Sequence, residues 1–411
     1  DISVEEAARE VRDRLNEAVR VRLRADVNVA VQLSGGLDSS SLLALGTNHQ
    51  DRIDAYTVAF SQREANEEPF ARMVAEMYGD VVDYHVLKPP DDELISQLDC
   101  FVNQIAEPFH SPNVSTTRGV WTQMASENIR AVLYGAAGDE VFAGYTREYF
   151  VTYLRDLLGR GHLRTFWSNF SGFSERSAGP LGMDYLLRAG LVAGGVGAYE
   201  SLVERVSGRD DPVRWRRDIP TTSPLSGSAE ERILKTLTDW KMNYWLRLDN
   251  QNSMAVPIEL RLPFLDYHVI DFAFSLPFGY LIRDGWKKWI LRKAMQGLLP
   301  DEVLWRRRKM GFPFPLRSWL GRHREHFLGV IGPLECPFVD SAKLAASYER
   351  LRARNPNYLW CVISTALWWK RCVEGNSLNK PASPPSSGWF GRGAPDSGTP
   401  EMPFSRAKPS K

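Results

Sequence analysis

The stretch Ser34-Gly35-Gly36-Leu37-Asp38-Ser39-Ser40 has the composition of a phosphate-binding turn. Its paired glycines allow positive φ and close backbone approach, and the hydroxyls of Ser34, Ser39 and Ser40 can surround oxyanions. A helix beginning near Asp38 directs its positive end at the same place. No lysine follows the glycines, so this is not the G-x-x-x-x-G-K-S/T loop of γ-phosphate chemistry. Asp38 is the most telling residue, because a carboxylate among phosphates repels them unless Mg²⁺ lies between. Ahead of the loop runs an alternating apolar series, Val27, Val29, Val31 and Leu33, which predicts a strand that delivers the turn at its end.

A second glycine-rich turn follows an apolar run at 131–134 and reads Gly135-Ala136-Ala137-Gly138-Asp139-Glu140. Placed across the cleft from Asp38, Asp139 could share a Mg²⁺ with it, which is what a cation bridging a chain of phosphates needs. The competing reading is that Asp139 and Glu140 cap the next helix. A third segment, 249–266, contains Glu259 and Arg261, which in an extended chain share one face. They could offer a carboxylate and a guanidinium to a reacting group, or pair with each other structurally. The fourth is Lys288-Trp289-Ile290-Leu291-Arg292, with the basic run at 306–309 and Lys309-Met310-Gly311-Phe312 after it. Arg307 and Arg308 read equally as a solvated face.

These segments, in this order over about residues 5–375, resemble the PP-loop ATP pyrophosphatases, and among them the asparagine synthetase family. β-Lactam synthetases and lasso-peptide cyclases are relatives. The resemblance implies an α/β fold, a parallel sheet with helices on both faces, followed by a mostly helical C-terminal part. It implies ATP and Mg²⁺ as cofactors, with ATP held by Leu33, Ser34, Gly35, Gly36, Asp38, Ser39, Ser40, Val58 and Gly135, and Mg²⁺ by Asp38 and Asp139. Lys309 then corresponds to the lysine placed against the α-phosphate and developing oxyanion, and Lys288 to one that meets pyrophosphate, with Glu259 and Arg261 near the acyl group. The implied reaction is adenylation of a carboxylate and transfer of the acyl group to an amine. Asparagine formation from aspartate leads, and a sugar acid, a β-lactam precursor or a peptide macrolactam is the alternative. Ala136 departs from the pattern, since asparagine synthetases carry Glu there and β-lactam synthetases Tyr. A PP-loop protein that has lost catalysis and serves in binding is a reading of another class. Retention of Asp38, Asp139, Lys288 and Lys309 speaks against it.

The elements around these residues alternate. Ser3 and Glu6 form a capping-box pair ahead of a helical apolar face, which predicts a helix over 3–24. Strands are expected at 27–33, 54–60, 81–86 and 131–134, helices at 67–78 and 117–127, and a Pro- and Ser-rich loop at 108–117. Strands alternating with helices predict a parallel sheet that binds ligands at its carboxyl ends. Residues 1–375 read as one synthetase domain with a variable helical insertion at 150–230, and 376–411 as a disordered Pro-, Ser- and Gly-rich tail.

With 411 residues, 43% hydrophobic and 25% charged, the chain can bury a large core. A net charge of +1 gives no reason to expect nucleic acid or an anionic membrane as partner. The four cysteines lack C-x-x-C spacing, which argues for reduced thiols and against a PP-loop thiolase. No leader or apolar span is evident, so a cytoplasmic protein is expected. Glutamine-dependent relatives have a glutaminase domain whose first residue is cysteine. This chain starts at Asp1 and has no cysteine before Cys100, so as given it is not expected to release ammonia from glutamine by that route, and a glutaminase domain or subunit is a candidate partner.

Overall fold

The computed structural model describes residues 2–60, 62, 66–88, 93–176, 227–306 and 314–375. Helix α1, Val4–Arg22, opens with the expected cap: Ser3 Oγ accepts from the Glu6 amide, and the Glu6 carboxylate accepts from the Ser3 amide. Its buried face is Ala7, Val11, Leu15, Ala18 and Val19.

The chain then alternates through β1 (Val29–Gln32), α2 (Leu37–Gly46), β2 (Ile53–Val58), α3 (Glu68–Met77) and β3 (Val82–Leu87). Helices α4 (Glu93–Ile105) and α5 (Asn113–Ser126) lead to β4 (Ala131–Leu133) and the short α6 (Gly138–Val141). After α7 (Val151–Gly159), α8 (Leu163–Arg176), α9 (Ala229–Thr238) and α10 (Trp240–Met254), β5 (Glu259–Arg261) completes the sheet. Its order is β3-β2-β1-β4-β5, with all neighbours parallel. Val31 pairs with Ala55 on one side and Leu133 on the other, so the ends of β1 and β4 lie side by side.

Side-chain alternation divides the core. Val31, Leu33, Ala55 and Leu133 face one way and pack with α1, α2 and α3, whereas Ala30, Tyr56, Val58 and Val132 face the other and meet Val120, Trp121 and Met124 of α5. Both faces of the sheet are therefore covered, which is why its strands read as nearly continuous apolar runs.

Beyond the sheet come α11 (Tyr267–Ser275), α12 (Phe278–Leu281), the hairpin β6 (Ile282–Arg283) and β7 (Trp286–Lys287), α13 (Trp289–Ala294) and α14 (Asp301–Leu304). The helices α15 (Leu316–Arg322), α16 (Arg324–Ile331), α17 (Ser341–Arg354) and α18 (Pro356–Trp368) gather around Trp319 and Trp360 and enclose the inner face of α4. The helical C-terminal part thus shares its core with the α/β part.

One expected loop is helical. Residues 113–117 begin α5, because Pro112 presets a helical φ of −60° and the hydroxyls of Ser115 and Thr117 bond back to the carbonyls of Pro112 and Asn113. Val27, expected in a strand, precedes β1 and is exposed. The insertion expected at 150–230 begins and ends as helix, while its middle, 177–226, and the tail at 376–411 lie outside the described residues. Among the described residues no helix is long and apolar enough to cross a membrane.

Candidate active site

The turn between β1 and α2 is held in a folded shape by its own hydroxyls. Ser34 Oγ and Ser39 Oγ lie 2.9 Å apart, the Ser34 amide donates to Ser39 Oγ at 3.0 Å, and the Gly36 amide donates to Ser34 Oγ at 3.3 Å. Gly35 has φ +70°, and a Cβ there would stand 2.5 Å from the Ala71 amide nitrogen, so the turn passes directly against the start of α3. Arg306 fastens that approach. Its guanidinium pairs with Glu67 at 2.8 Å, reaches the Gly35 carbonyl at 3.5 Å, and covers the Phe70 ring at 4.0 Å. Ser40 is fully buried behind the turn.

The turn after β4 lies alongside. A Cβ on Gly138 would come within 2.7 Å of the Asp38 carboxyl carbon, and one on Gly135 within 3.1 Å of the Ser39 amide nitrogen. Ala137 adopts φ +71°, a left-handed conformation that an alanine reaches only with some strain, and it launches α6 with Asp139 in the first turn. The adjacent Glu140 is buried and accepts from the Tyr145 hydroxyl at 2.5 Å.

Between the two turns stands Lys288. It is 4% exposed, and its ammonium donates to both oxygens of Asp38 at 2.6 Å and lies 2.7 Å from Asp139 Oδ1. Burial pushes its pKa down, and the Asp38 carboxylate pulls it back. Lys288 itself has φ +53°, at the junction of β7 and α13. Beside it Lys287 donates to Thr146 Oγ1 at 2.5 Å. Burial, with the charges of Lys288 and Arg292 next to it, brings its pKa down to about 8. Arg292, held by the Lys287 carbonyl at 3.0 Å and stacked 5.0 Å from the Trp286 ring, is brought down to about 10 by burial.

A cavity of about 260 Å³ opens over this arrangement. The first turn contributes Ser34, Gly36, Asp38 and Ser39, the second Gly135, Ala136 and Asp139, and the cationic wall Lys287, Lys288, Arg292 and Arg306. Gln32 and Tyr134 also line the cavity, the Gln32 amide oxygen being held by the Trp121 indole N–H at 2.9 Å. The partly buried Asp249 of α10 acts electrostatically on Tyr134, and burial pushes its carboxyl up to about 7.

Several expected site residues stand elsewhere. Leu33 and Val58 are core residues away from the cavity lining; the Leu33 carbonyl accepts from Thr57 Oγ1 at 2.5 Å. Glu259 and Arg261 pair with each other at 2.8 Å, and Arg261 binds the carbonyls of Arg22 and Arg24 at 2.7 and 2.9 Å, which ties the edge strand to the end of α1. Neither lines the cavity. Lys309 lies outside the described residues. In turn, Lys287, Glu67 and Gln32 line the cavity without having been singled out from sequence, and Tyr134, at the head of the second glycine turn, lines it too. Only Lys287, next to the K-x-x-L-R segment, carried a signal that could have found it.

The two carboxylates fit Mg²⁺, which is commonly bound by one or two carboxylates together with substrate phosphates. The fit rests on Asp38 and Asp139 already converging on one cation. Among the described residues no group of three or more His, Cys, Asp or Glu side chains could hold a metal unaided.

The sequence pattern of asparagine synthase matches residues 10–371. Asparagine synthetase [glutamine-hydrolyzing] 1 of Bacillus subtilis (strain 168) is 29% identical over 389 residues, 89% of this chain and 60% of the relative. A putative asparagine synthetase [glutamine-hydrolyzing] of Mycobacterium bovis is 29% identical over 90% of this chain and 58% of its own length. Amidase chry2 of Gibberella zeae is 27% identical over 78% and 54%. The chain thus spans 54–60% of the length of these relatives. With the two glycine turns, the carboxylates and the cationic wall gathered at the carboxyl ends of β1 and β4, the match over residues 10–371 establishes that the chain belongs to the asparagine synthase family.

Proposed function

We propose that this chain is an ATP-dependent, amide-forming ligase that cleaves ATP between its α- and β-phosphates. The observation that carries the reading is the pairing of a lysine-free glycine turn with Asp38, Asp139 and a wall of Lys287, Lys288 and Arg292. In this reading the turn at 34–39 receives the phosphates with its amides and hydroxyls. Asp38 and Asp139 would hold Mg²⁺, which supplies neutralisation of phosphate charge when bound.

In the first step a carboxylate oxygen of the substrate bonds to the α-phosphorus and the bond to the β-phosphate oxygen breaks, releasing pyrophosphate. Negative charge gathers on that leaving group, and in this reading the cations lining the cavity, Lys287, Lys288 and Arg292, receive it. In the second step an amine attacks the acyl carbon, loses a proton, and AMP leaves with the electrons of the acyl–oxygen bond. Lys309 is assigned to the oxyanion of this step through the family resemblance alone. Glu259 and Arg261, occupied with each other and with α1, receive no step.

Aspartate with ammonia is the lead substrate pair, supported by the asparagine synthetase names of two relatives. A glutaminase domain or subunit is the proposed ammonia source, and nucleic acid and membrane have no part in the reaction. Ala136 favours a second reading, the same adenylation followed by a different amine acceptor, because the cavity wall there has no side chain able to take a proton. The test is product identity with MgATP, L-aspartate and ammonium. AMP, pyrophosphate and asparagine support the lead, whereas ADP and orthophosphate without AMP refute the ligase chemistry.

A further inference from the structure

We infer that Lys288 occupies the position between Asp38 and Asp139 that a divalent cation takes, so that Mg²⁺ enters this site only together with the phosphates of a nucleotide. The inference rests on the metal assignment proposed above and adds the order in which charge is exchanged. An ammonium has three N–H donors. Lys288 donates to Asp38 Oδ1 and Oδ2, each at 2.6 Å, and its ammonium forms an ion pair with Asp139 Oδ1 at 2.7 Å. Both oxygens of Asp38 are thereby engaged, and Mg²⁺ needs oxygen contacts near 2.1 Å in a nearly ideal octahedron. Two cations on the same oxygens at such spacing repel each other strongly. Lys287 and Arg292, in the same wall, add to that repulsion.

The protein is built around the lysine in this position. Its backbone is left-handed, and Gly144 leaves space that a side chain would fill: a Cβ there would lie 1.8 Å from Asp139 Oδ1 and 2.4 Å from Lys288 Cε. The ammonium also has a destination. Ser34, Gly36 and Ser39 face the same cavity, so phosphate oxygens bound there offer it new acceptors and release the carboxylates to the metal. The consequence is a site closed to free Mg²⁺ and open to a metal–nucleotide complex.

Mn²⁺ serves as the probe, followed by the loss of its aqueous electron paramagnetic resonance signal on mixing with the full chain. Wild-type protein alone should leave the signal unchanged, and adding α,β-methylene-ATP should produce uptake beyond that of the analogue by itself. Lys288→Met should bind Mn²⁺ without nucleotide at least about tenfold more tightly than wild type, and adding Asp139→Asn to it should remove the gain. Nucleotide-free uptake by wild type, abolished by Asp38→Asn, would overturn the role of Lys288 while leaving the metal site standing. No protein-bound Mn²⁺ under any condition would overturn both. If Lys288→Met does not fold, the two wild-type measurements decide.

Discussion

Replacing Gly144 with alanine perturbs the site through a single methyl group. The new Cβ would stand 1.8 Å from Asp139 Oδ1, 2.7 Å from the Asp139 carboxyl carbon and 2.4 Å from Lys288 Cε, so the carboxylate and the lysine stem must both move. Overpacking a dense site destabilises by about 1–3 kcal/mol. Losing one partner of a buried ion pair costs about 3–5 kcal/mol, and here the pair is displaced without being deleted, so a loss of roughly 2–3 kcal/mol in unfolding free energy is expected. Gly159, with nothing within 4 Å of its Cβ position, is the control; Gly159→Ala should be neutral or stabilise by about 0.5 kcal/mol. Urea denaturation of the three proteins measures the difference, and pyrophosphate release under saturating MgATP should fall at least about tenfold in Gly144→Ala alone. A Gly144→Ala protein as stable and as active as the Gly159→Ala control would refute the packing of Asp139 against Lys288 described above.

Asp38→Asn and Asp139→Asn should each reduce turnover by at least about a hundredfold while circular dichroism stays that of wild type, since each leaves Lys288 one carboxylate partner. Lys287 has its pKa lowered to about 8, below its value in the unfolded chain, so between about pH 8 and 10.5 the unfolded state binds more protons. Its burial therefore penalises folding at neutral pH and the penalty fades as pH rises through that window. Lys287→Met should abolish this rise in stability, read by denaturation at several pH values. Asp249, raised to about 7, has the opposite sense: stability falls as pH climbs from about 4 to 7, and Asp249→Asn should flatten that limb and stabilise the protein above it. With aspartate and ammonium, amide formation by the wild type should be slow at neutral pH and increase as NH₃ becomes more abundant, and Ala136→Glu should raise it at neutral pH. Rapid asparagine formation at pH 7 that is indifferent to the substitution would contradict the reading of position 136.

Much of this architecture is legible because it is local. The runs that become β1 and β4 are buried on both faces and so read as apolar, and the glycine turns follow them directly in sequence. The cap on α1 is likewise visible in Ser3 and Glu6. The first turn of α5 was hidden because Ser115 and Thr117 have loop-like propensity, and only their back-bonding to the helix carbonyls makes them compatible with it. Long-range pairings were hidden for another reason. The clamp of Arg306 on Glu67 and Phe70, and the insertion of Lys288 between Asp38 and Asp139, join residues more than a hundred positions apart, and no periodicity records such contacts. Arg261 illustrates the converse: the segment's resemblance placed it near the acyl group, but strand β5 sits at the sheet edge, where its guanidinium meets the carbonyls at the end of α1.

Carboxylate-dependent exchange of labelled pyrophosphate into ATP tests the central claim most directly, because it requires reversible cleavage between the α- and β-phosphates and no amine. With MgATP and L-aspartate or a related carboxylate the chain should incorporate label in the absence of ammonium, and Asp38→Asn and Lys288→Met should do so at least about a hundredfold more slowly. Absence of exchange with every carboxylate that supports nucleotide turnover, with ADP as the product of that turnover, would contradict that claim.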